Sequence, residues 1–495
     1  MQKLVLLWIF FFGIIVNGMA QSTKPLRIEV SARKAEAVYT IPLESRHLVI
    51  IQHQHKRTVE GEHWLMKVYN EAFVIMATKN MYLPKAFTLF DHKIQGDSIL
   101  FLCFAEKNGN NSSLMLYRFN LKTNNITHTY IKGSRKATLE SFEVVGNSIY
   151  LFGERMEGIQ SQLVNSTLPF NIKIIAPVYP NYSYILASYA LTASGKVIVI
   201  VDVSRGAQMG RYYYEYKNSS VNGTKKELQI NANINLIDAT LIKALGGSLL
   251  LMGTYNNSAQ AKSKIDEISK GIFIGKIYDG AFDFFKVYKF SDFTNLVSSL
   301  NYRDQLRVKH KAQKGKEVNI KFKLLVHKRA LRVANKYILA AETYYPEFHY
   351  ENNFDSRGYM YQVEVFDGYR TTNCIVASFN DKGRLIWDNF LPVNGIINYN
   401  LQENVLVFPE ADSSIVMAYY ARGKIWSKTV DGNKIIFTKT VDRVETMPGE
   451  NVISEQYGNI EKWYNHYFIL SGYQTIIDTK GKKRKVYFFN LISFE

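Results

Sequence analysis

Eight short apolar strand runs, returning at steps of about fifty residues along most of the chain, predict an all-β protein of the β-propeller class. The composition agrees, because Tyr, Phe, Val and Ile are abundant while Pro is scarce, as suits a chain that is mostly strand. The runs are also apolar without alternation, which fits strands buried on both faces. They are His47–Ile51, Ser98–Leu102, Ser148–Phe152, Lys196–Ile200, Ser248–Met252, Lys336–Ala340, Ser414–Ala418 and His466–Leu470. Taken from the second residue of each run, the steps are 51, 50, 48, 52, 88, 78 and 52.

Between the runs lie the remaining strands of each unit. Ala37–Leu43 precedes the first run, and Trp64–Tyr69 and Phe73–Met76 follow it; Ala86–Phe90 precedes the second, with Leu114–Phe119 and Ile126–Ile131 behind. Ser141–Val145, Tyr184–Leu191 and Ala239–Leu245 lead into the next three. Each unit is thus an up-and-down set of about four strands joined by Gly, Asn and Asp turns. One such meander covers a single face and leaves both edges open. Stacking the sheets radially buries both faces. Eight repeats predict eight blades, or seven if the first and last segments share one, and Val486–Asn490 ties the C-terminal region into a sheet. In Phe379–Trp387, Asp381 and Gly383 supply a tight turn and Trp387 packs between sheets; Asp431-Gly432-Asn433 forms a similar hairpin.

Residues 1–20 read as a signal peptide. Lys3 precedes an apolar run from Leu4 to Val16, and Gly18 and Ala20 suit cleavage before Gln21. The run is shorter than the roughly 20 residues needed to span a bilayer. Residues 21–495 then form one propeller domain outside the cytoplasm, secreted, periplasmic or on the outer cell surface. Cys103 and Cys374 sit in apolar strands and read as buried reduced thiols. The formal charge is +18, or +17 once Lys3 leaves with the leader, and it suits an anionic partner or solubility alone. The sequons at Asn110, Asn111, Asn125, Asn165, Asn181, Asn218, Asn222 and Asn256 read as Asn-rich turns.

The two long steps mark insertions, at about 291–328 and 344–372, and propeller function tends to sit on such excursions. In the first, Asp292 caps a short helix carrying Phe293, Leu296, Val297 and Leu300, followed by a basic run. Arg303, Arg307, Lys309, Lys311, Lys314 and Lys316 are its binding candidates, with His310, Lys321, Lys323, Lys328 and Arg329 alongside and only Asp304 and Glu317 in opposition. Such a run binds an anionic polymer in a salt-dependent way or is simply a solvated rim; it resembles no nucleic-acid-reading module. The second insertion offers Tyr344, Tyr345, Tyr350 and Tyr359 as binding rings, among Phe348, His349, Phe354, Tyr361 and Phe366-Asp367-Gly368-Tyr369. Exposed rings near carboxylates suit a sugar platform or a protein interface; the plain alternative is that they cover the blade.

Catalytic signals are weak. His53 and His55 lie two apart on a strand end, yet no local Cys or acid completes a metal set, so no metal and no cofactor is predicted. Nucleophile-elbow, zincin and phosphate-loop motifs are absent. Glu154, Asp202 and Glu342 follow repeated strands at related positions and either face the channel or are polar strand ends.

Leu324–His327, Ala341–Pro346, Val365–Tyr369, Gly383–Asn389 and Lys483–Asn490 together resemble a family of uncharacterised secreted proteins of Gram-negative bacteria with propeller-like repeats. The resemblance is clearest over the C-terminal 200 residues. It implies an exported or envelope protein and brings no catalytic residues. The sequence therefore points to a non-catalytic binding or scaffolding protein at the cell envelope, engaging a protein or an anionic glycan. The competing reading is a carbohydrate-active hydrolase or lyase with acidic residues at the propeller channel.

Overall fold

The computed structural model describes residues 27–494 apart from 33–36, 86, 108–110, 133–137, 155–172, 181–182, 204–209, 218–219, 232, 258–267, 301, 315, 317–319 and 442–445. The expected leader and the sequons at Asn110, Asn165, Asn181 and Asn218 lie outside the described residues. Among the described residues the strands form eight sheets, one for each repeated run. Blade 1 spans 38–83, blade 2 88–132, blade 3 138–175 and blade 4 183–227. Blade 5 spans 235–289, blade 6 323–398, blade 7 406–441 and blade 8 451–493. In every blade the repeated run is the second strand, counted outward from the innermost one.

The absence of alternation in the runs has a direct cause. Successive side chains of a strand point to opposite faces, and here each face meets another blade. Ile99, Phe101 and Cys103 pack against blade 1, whereas Leu100 and Leu102 pack against blade 3. Val197, Val199 and Val201 turn to blade 3, and Ile198 and Ile200 to blade 5. The same division recurs around the molecule, so every pair of successive blades shares an apolar cluster. The ring closes where Leu48, Ile50, Tyr69 and Phe73 of blade 1 meet Trp463, Ile469, Tyr487 and Phe489 of blade 8. Both cysteines are free and buried, and burial pushes the Cys103 thiol up to about 12.

Closure also exchanges a strand. Arg27–Ser31 pairs with Lys483–Ser493, so the N-terminal strand is the outermost one of blade 8. The chain ends do share a blade, but blade 1 keeps four strands of its own and the count is eight rather than seven. Buried Arg27 fastens this joint: Nη2 donates to Gln474 Oε1 (2.7 Å), Nη1 donates to Asn490 Oδ1 (3.2 Å), and the guanidinium lies over the Phe488 ring.

Carboxylates stitch inner strands to their neighbours. Glu140 Oε2 accepts the Ile185 N–H (3.0 Å) and Asp238 Oδ2 accepts the Val326 N–H (3.0 Å). Blades 2 to 5 each carry a β-bulge between first and second strands, at Leu89/Asp91, Leu139/Ser141, Ile185/Ala187 and Leu236/Asp238. In blade 5 Gly253 faces that bulge, and a Cβ there would lie 2.0 Å from the Asp238 carbonyl oxygen.

Three expectations change. Asp292 does not cap the helix Thr294–Ser299; its Oδ2 accepts the Lys289 N–H and closes the preceding turn, while Asp388 Oδ2 of blade 6 accepts the Leu296 N–H (2.8 Å). In blade 3 Lys173–Ile175 runs parallel to the second strand rather than up-and-down. It takes the direction of a fourth strand, which delivers the chain to the correct end for blade 4. In the Phe379–Trp387 turn the Lys382 and Arg384 N–H groups are held by Asn380 Oδ1, not Asp381, while Gly383 adopts a positive φ and Trp387 is buried as expected.

Candidate functional site

The second insertion is a continuous two-stranded arm. Lys336–Phe354 and Met360–Asn380 pair along their whole length, but the inner strand of blade 6 accompanies them only as far as Tyr344, and the outer strand only to Asn373. Ile397 and Asn398 still pair with Arg370 and Tyr369, and beyond that pairing the hairpin leaves the sheet and extends about 25 Å, at the usual rise per residue. At its base Tyr344 is buried edge-on against Tyr369 (5.7 Å), and Arg370 pairs with Glu347 through both carboxylate oxygens. At its tip Asp355 Oδ1 accepts the N–H groups of Arg357 (2.8 Å) and Tyr359 (2.9 Å), fixing the turn.

Register divides the arm into two faces. Phe348, Tyr350 and Phe354 stand opposite Phe366, Glu364 and Met360 on one face. Phe366 contacts Phe348 (5.4 Å) and Tyr399 (5.5 Å), extending the rings down to the blade. Tyr350 OH donates to Glu364 Oε1 (3.1 Å). The other face carries His349, Glu351 and Asn353 opposite Val365, Val363 and Tyr361. Hydrogen bonds to Glu351 and Asp367 hold His349 above the ordinary imidazole range. Tyr350, Phe354 and Tyr359 are 65%, 67% and 71% exposed.

Of the four ring candidates, Tyr345, Tyr350 and Tyr359 are on the surface and Tyr344 is not. That is a correction, and its cause is position: Tyr344 is the last residue paired to the inner strand, below the point where the arm leaves. Phe348, Phe354, Met360 and Phe366 share the face of Tyr350 and follow from period-two alternation once the strand is known. Tyr399 comes from a separate segment with no local signal.

The basic candidates fall on the first insertion. Tyr302–Gln313 is a helix bearing Arg303, Arg307, Lys309 and Lys311, with Lys314 and Lys316 just beyond; all six are exposed. Arg303, Arg307 and Lys311 are four apart and line one stripe. Beside them Tyr302 and Leu306 are exposed at 75% and 47%. Gln305 Nε2 fastens the helix by donating to the carbonyls of Ser298 and Leu300. Lys328 and Arg329 do not belong to this surface. They lie exposed between the strand segments Lys323–Val326 and Leu331–Val333, within electrostatic reach of His92 of blade 2.

The acids of the inner strands are engaged. Glu143 accepts from Ser188 Oγ (2.8 Å) and pairs with Lys93 (3.6 Å). Asp202 pairs with Arg211 (3.0 Å) inside blade 4. Glu342 is buried, and its Oε1 accepts the backbone N–H groups of Asn404 and Val405 (2.8 Å each) beside His327 Nε2 (2.9 Å). Burial depresses the His327 imidazole, but Glu342 and Glu403 outweigh it and its pKa is raised. Asp202 and Glu342 are thus interior ion-pair partners rather than channel acids; the Glu154 side chain lies outside the described residues. Glu461 of blade 8 is pushed up to about 8 by burial. His53 and His55 meet at 4.8 Å with His53 against Trp64, but among the described residues no three His, Cys, Asp or Glu groups assemble to hold a metal. A cavity of about 350 Å³ opens at the turn end of blade 5, where Lys276 and Asp283 pair and Tyr278 and Phe282 form walls.

No family profile and no curated protein matches the chain. Among solved structures it is similar to the β-propeller domain of the Trilobed protease from Pyrococcus furiosus, at 8% identity and TM-score 0.31, covering 91% of this chain and 93% of that one. It is similar to the WD40 domain of SCAP from fission yeast, at 8% identity and TM-score 0.33, over 95% and 99%. It is also similar to the polysaccharide lyase Uly1, at 11% identity and TM-score 0.30, over 95% and 99%. Likenesses this distant carry no argument about chemistry. The propeller rests on its own sheets and clusters. Among the described residues no helix is long and apolar enough to cross a membrane.

Proposed function

We propose that this chain is an exported, non-catalytic binding or scaffolding protein of the bacterial cell envelope, and that it engages a protein partner through the blade 6 arm. The observation that carries this reading is the arm itself. Among the described residues the strands of the other blades run to at most 12 residues, yet here two strands of 19 and 21 residues continue past the blade and hold Phe348, Tyr350, Phe354 and Tyr359 in solvent. Exposed aromatic rings on a rigid two-stranded support are what a protein interface uses as anchors. Five carboxylates on residues 345–369 speak against an anionic glycan at this element.

The hydrolase or lyase reading needs two carboxylates converging on an accessible cavity. Glu143, Asp202 and Glu342 are instead each committed to partners, and the blade 5 cavity has Asp283 paired to Lys276. Export rests on the leader at 1–20 and on the resemblance of the C-terminal stretches to secreted proteins.

The test is capture from envelope extract by the chain from Gln21 onward, beside a variant with Phe348, Tyr350 and Phe354 changed to Ala. The reading predicts a defined protein retained at least about tenfold better by the parent, since anchor rings are worth about 1–2 kcal/mol or more each. Equal retention by both, with equal melting temperatures, would remove the arm from the account.

A further inference from the structure

The first strands of blades 2 to 8 touch one another in succession, so they surround the axis of the ring. The shared apolar clusters close the same circle of eight. Blades 2 and 6 therefore stand opposite one another, with three blades between them on either side. A side chain of one acts on a side chain of the other only through the axial space.

Lys328 and Arg329 of blade 6 act on His92 of blade 2 in this way. Hydrogen bonding places them at one level independently. Lys93 and Thr240 each lie two residues past the bulge of their first strand, at Leu89/Asp91 in blade 2 and Leu236/Asp238 in blade 5. Thr240 Oγ1 donates to the Lys328 carbonyl (2.8 Å), which sets Lys328 level with His92 and Lys93.

That level is polar and reached by water. Lys328 and Arg329 are exposed although they sit midway along blade 6, and the side chains of His92 and Lys93 keep 32% and 30% exposure. The nearby acids have other duties. Asp91 lies beside His92 and Lys93 (3.9 Å each), and Glu143 pairs with Lys93 (3.6 Å). Glu403 Oε1 accepts the Lys328 backbone N–H (2.7 Å), and Asp238 holds the Val326 N–H. Among the described residues no carboxylate pairs with Lys328 Nζ or with the Arg329 guanidinium.

Two cations directed into a confined space with low-dielectric walls raise the local concentration of anions. A guanidinium fork beside a lysine point charge is the pairing that suits phosphate oxygens. Burial, opposed by Asp91 and aided by the three neighbouring cations, holds His92 below the ordinary imidazole range, so it offers a single N–H. We infer that Lys328, Arg329 and His92 form an axial site for a phosphate-type oxyanion, held between blades 6 and 2. The site is independent of the arm. Its occupant is either free phosphate or the end group of a larger phosphomonoester.

Isothermal titration calorimetry of the chain from Gln21, with inorganic phosphate and with glycerol phosphate in about 50 mM salt, tests the site. At least one probe binds with a Kd of about 1 mM or tighter. An ester that binds at least as tightly as phosphate assigns an end group, and a weaker ester assigns the free anion. K328Q/R329Q changes only exposed side chains and weakens binding at least about tenfold, with melting unchanged. R307Q/K311Q removes the same charge from the insertion helix and changes binding less than about twofold. By NMR, phosphate moves the His92 titration to higher pH in the parent, because a neighbouring anion favours the imidazolium. In K328Q/R329Q it does not. No binding of either probe up to about 10 mM overturns the inference. So does equal weakening by the two variant pairs, or binding that leaves the His92 titration unmoved.

Discussion

At the scale of single residues the protein tolerates ionisable groups inside the ring only where each has an answer. Glu342 accepts from His327 and from the backbone N–H groups of Asn404 and Val405, so one carboxylate ties blade 6 to the segment that enters blade 7. Glu461 differs: burial alone raises its pKa from 4.5 to about 8. An unfolded chain ionises this carboxyl near 4.5, whereas the folded ring keeps it protonated to about 8. Stability therefore falls as pH rises between those values, and is fully present below them. His327 acts in the same direction, because its raised pKa contributes stability below the ordinary imidazole value that is lost as pH rises through the folded one. Denaturant titrations at pH 5 and pH 8.5 should find the parent weaker at the higher pH. E461Q should recover stability there, by about 5 kcal/mol at most, and leave pH 5 nearly unchanged. An E461Q titration parallel to the parent's would show that Glu461 ionises normally.

At the scale of elements the repeated second strands were legible because their cause is local. Both faces of each strand meet a blade, so Ile99 to Cys103 and Val197 to Val201 are apolar throughout, and a run of that kind can be counted. The unreadable features have remote causes. Asp388, 92 residues away from Leu296, supplies the helix cap that Asp292 suggested. Tyr344 and Tyr345 look alike in sequence, but they point to opposite faces of the strand, and Tyr344 is the last residue paired to the inner strand and packs on Tyr369 while Tyr345 is exposed. The basic run was likewise cut in two, because Lys328 and Arg329 follow the strand Lys323–Val326 and act electrostatically on His92 of blade 2. The bulges of blades 2 to 5 left no sequence signal of their own, though Gly253 is a trace of one. Gly253→Ala should cost about 1–3 kcal/mol by forcing the bulged backbone away. A melting temperature equal to the parent's would mean that the Asp238 carbonyl moves freely.

At the scale of the whole molecule, stability and function occupy different parts of the chain. Every blade is consumed by two apolar interfaces, and the ring is locked by the strand Arg27–Ser31 lying on blade 8. What the ring does not use is the arm on blade 6 and the helix at its edge. The account's central claim is that recognition belongs to the arm and closure does not. Pro346 and Tyr369 are direct partners, so residues 347–368 can be replaced by Asn-Gly as a two-residue hairpin turn. The one measurement is to follow thermal unfolding and envelope-partner capture together on that shortened chain. The account predicts a melting temperature within about 2 °C of the parent's, as for changes outside the core, together with lost capture. Capture that survives without the arm, by a ring that still melts normally, would contradict it.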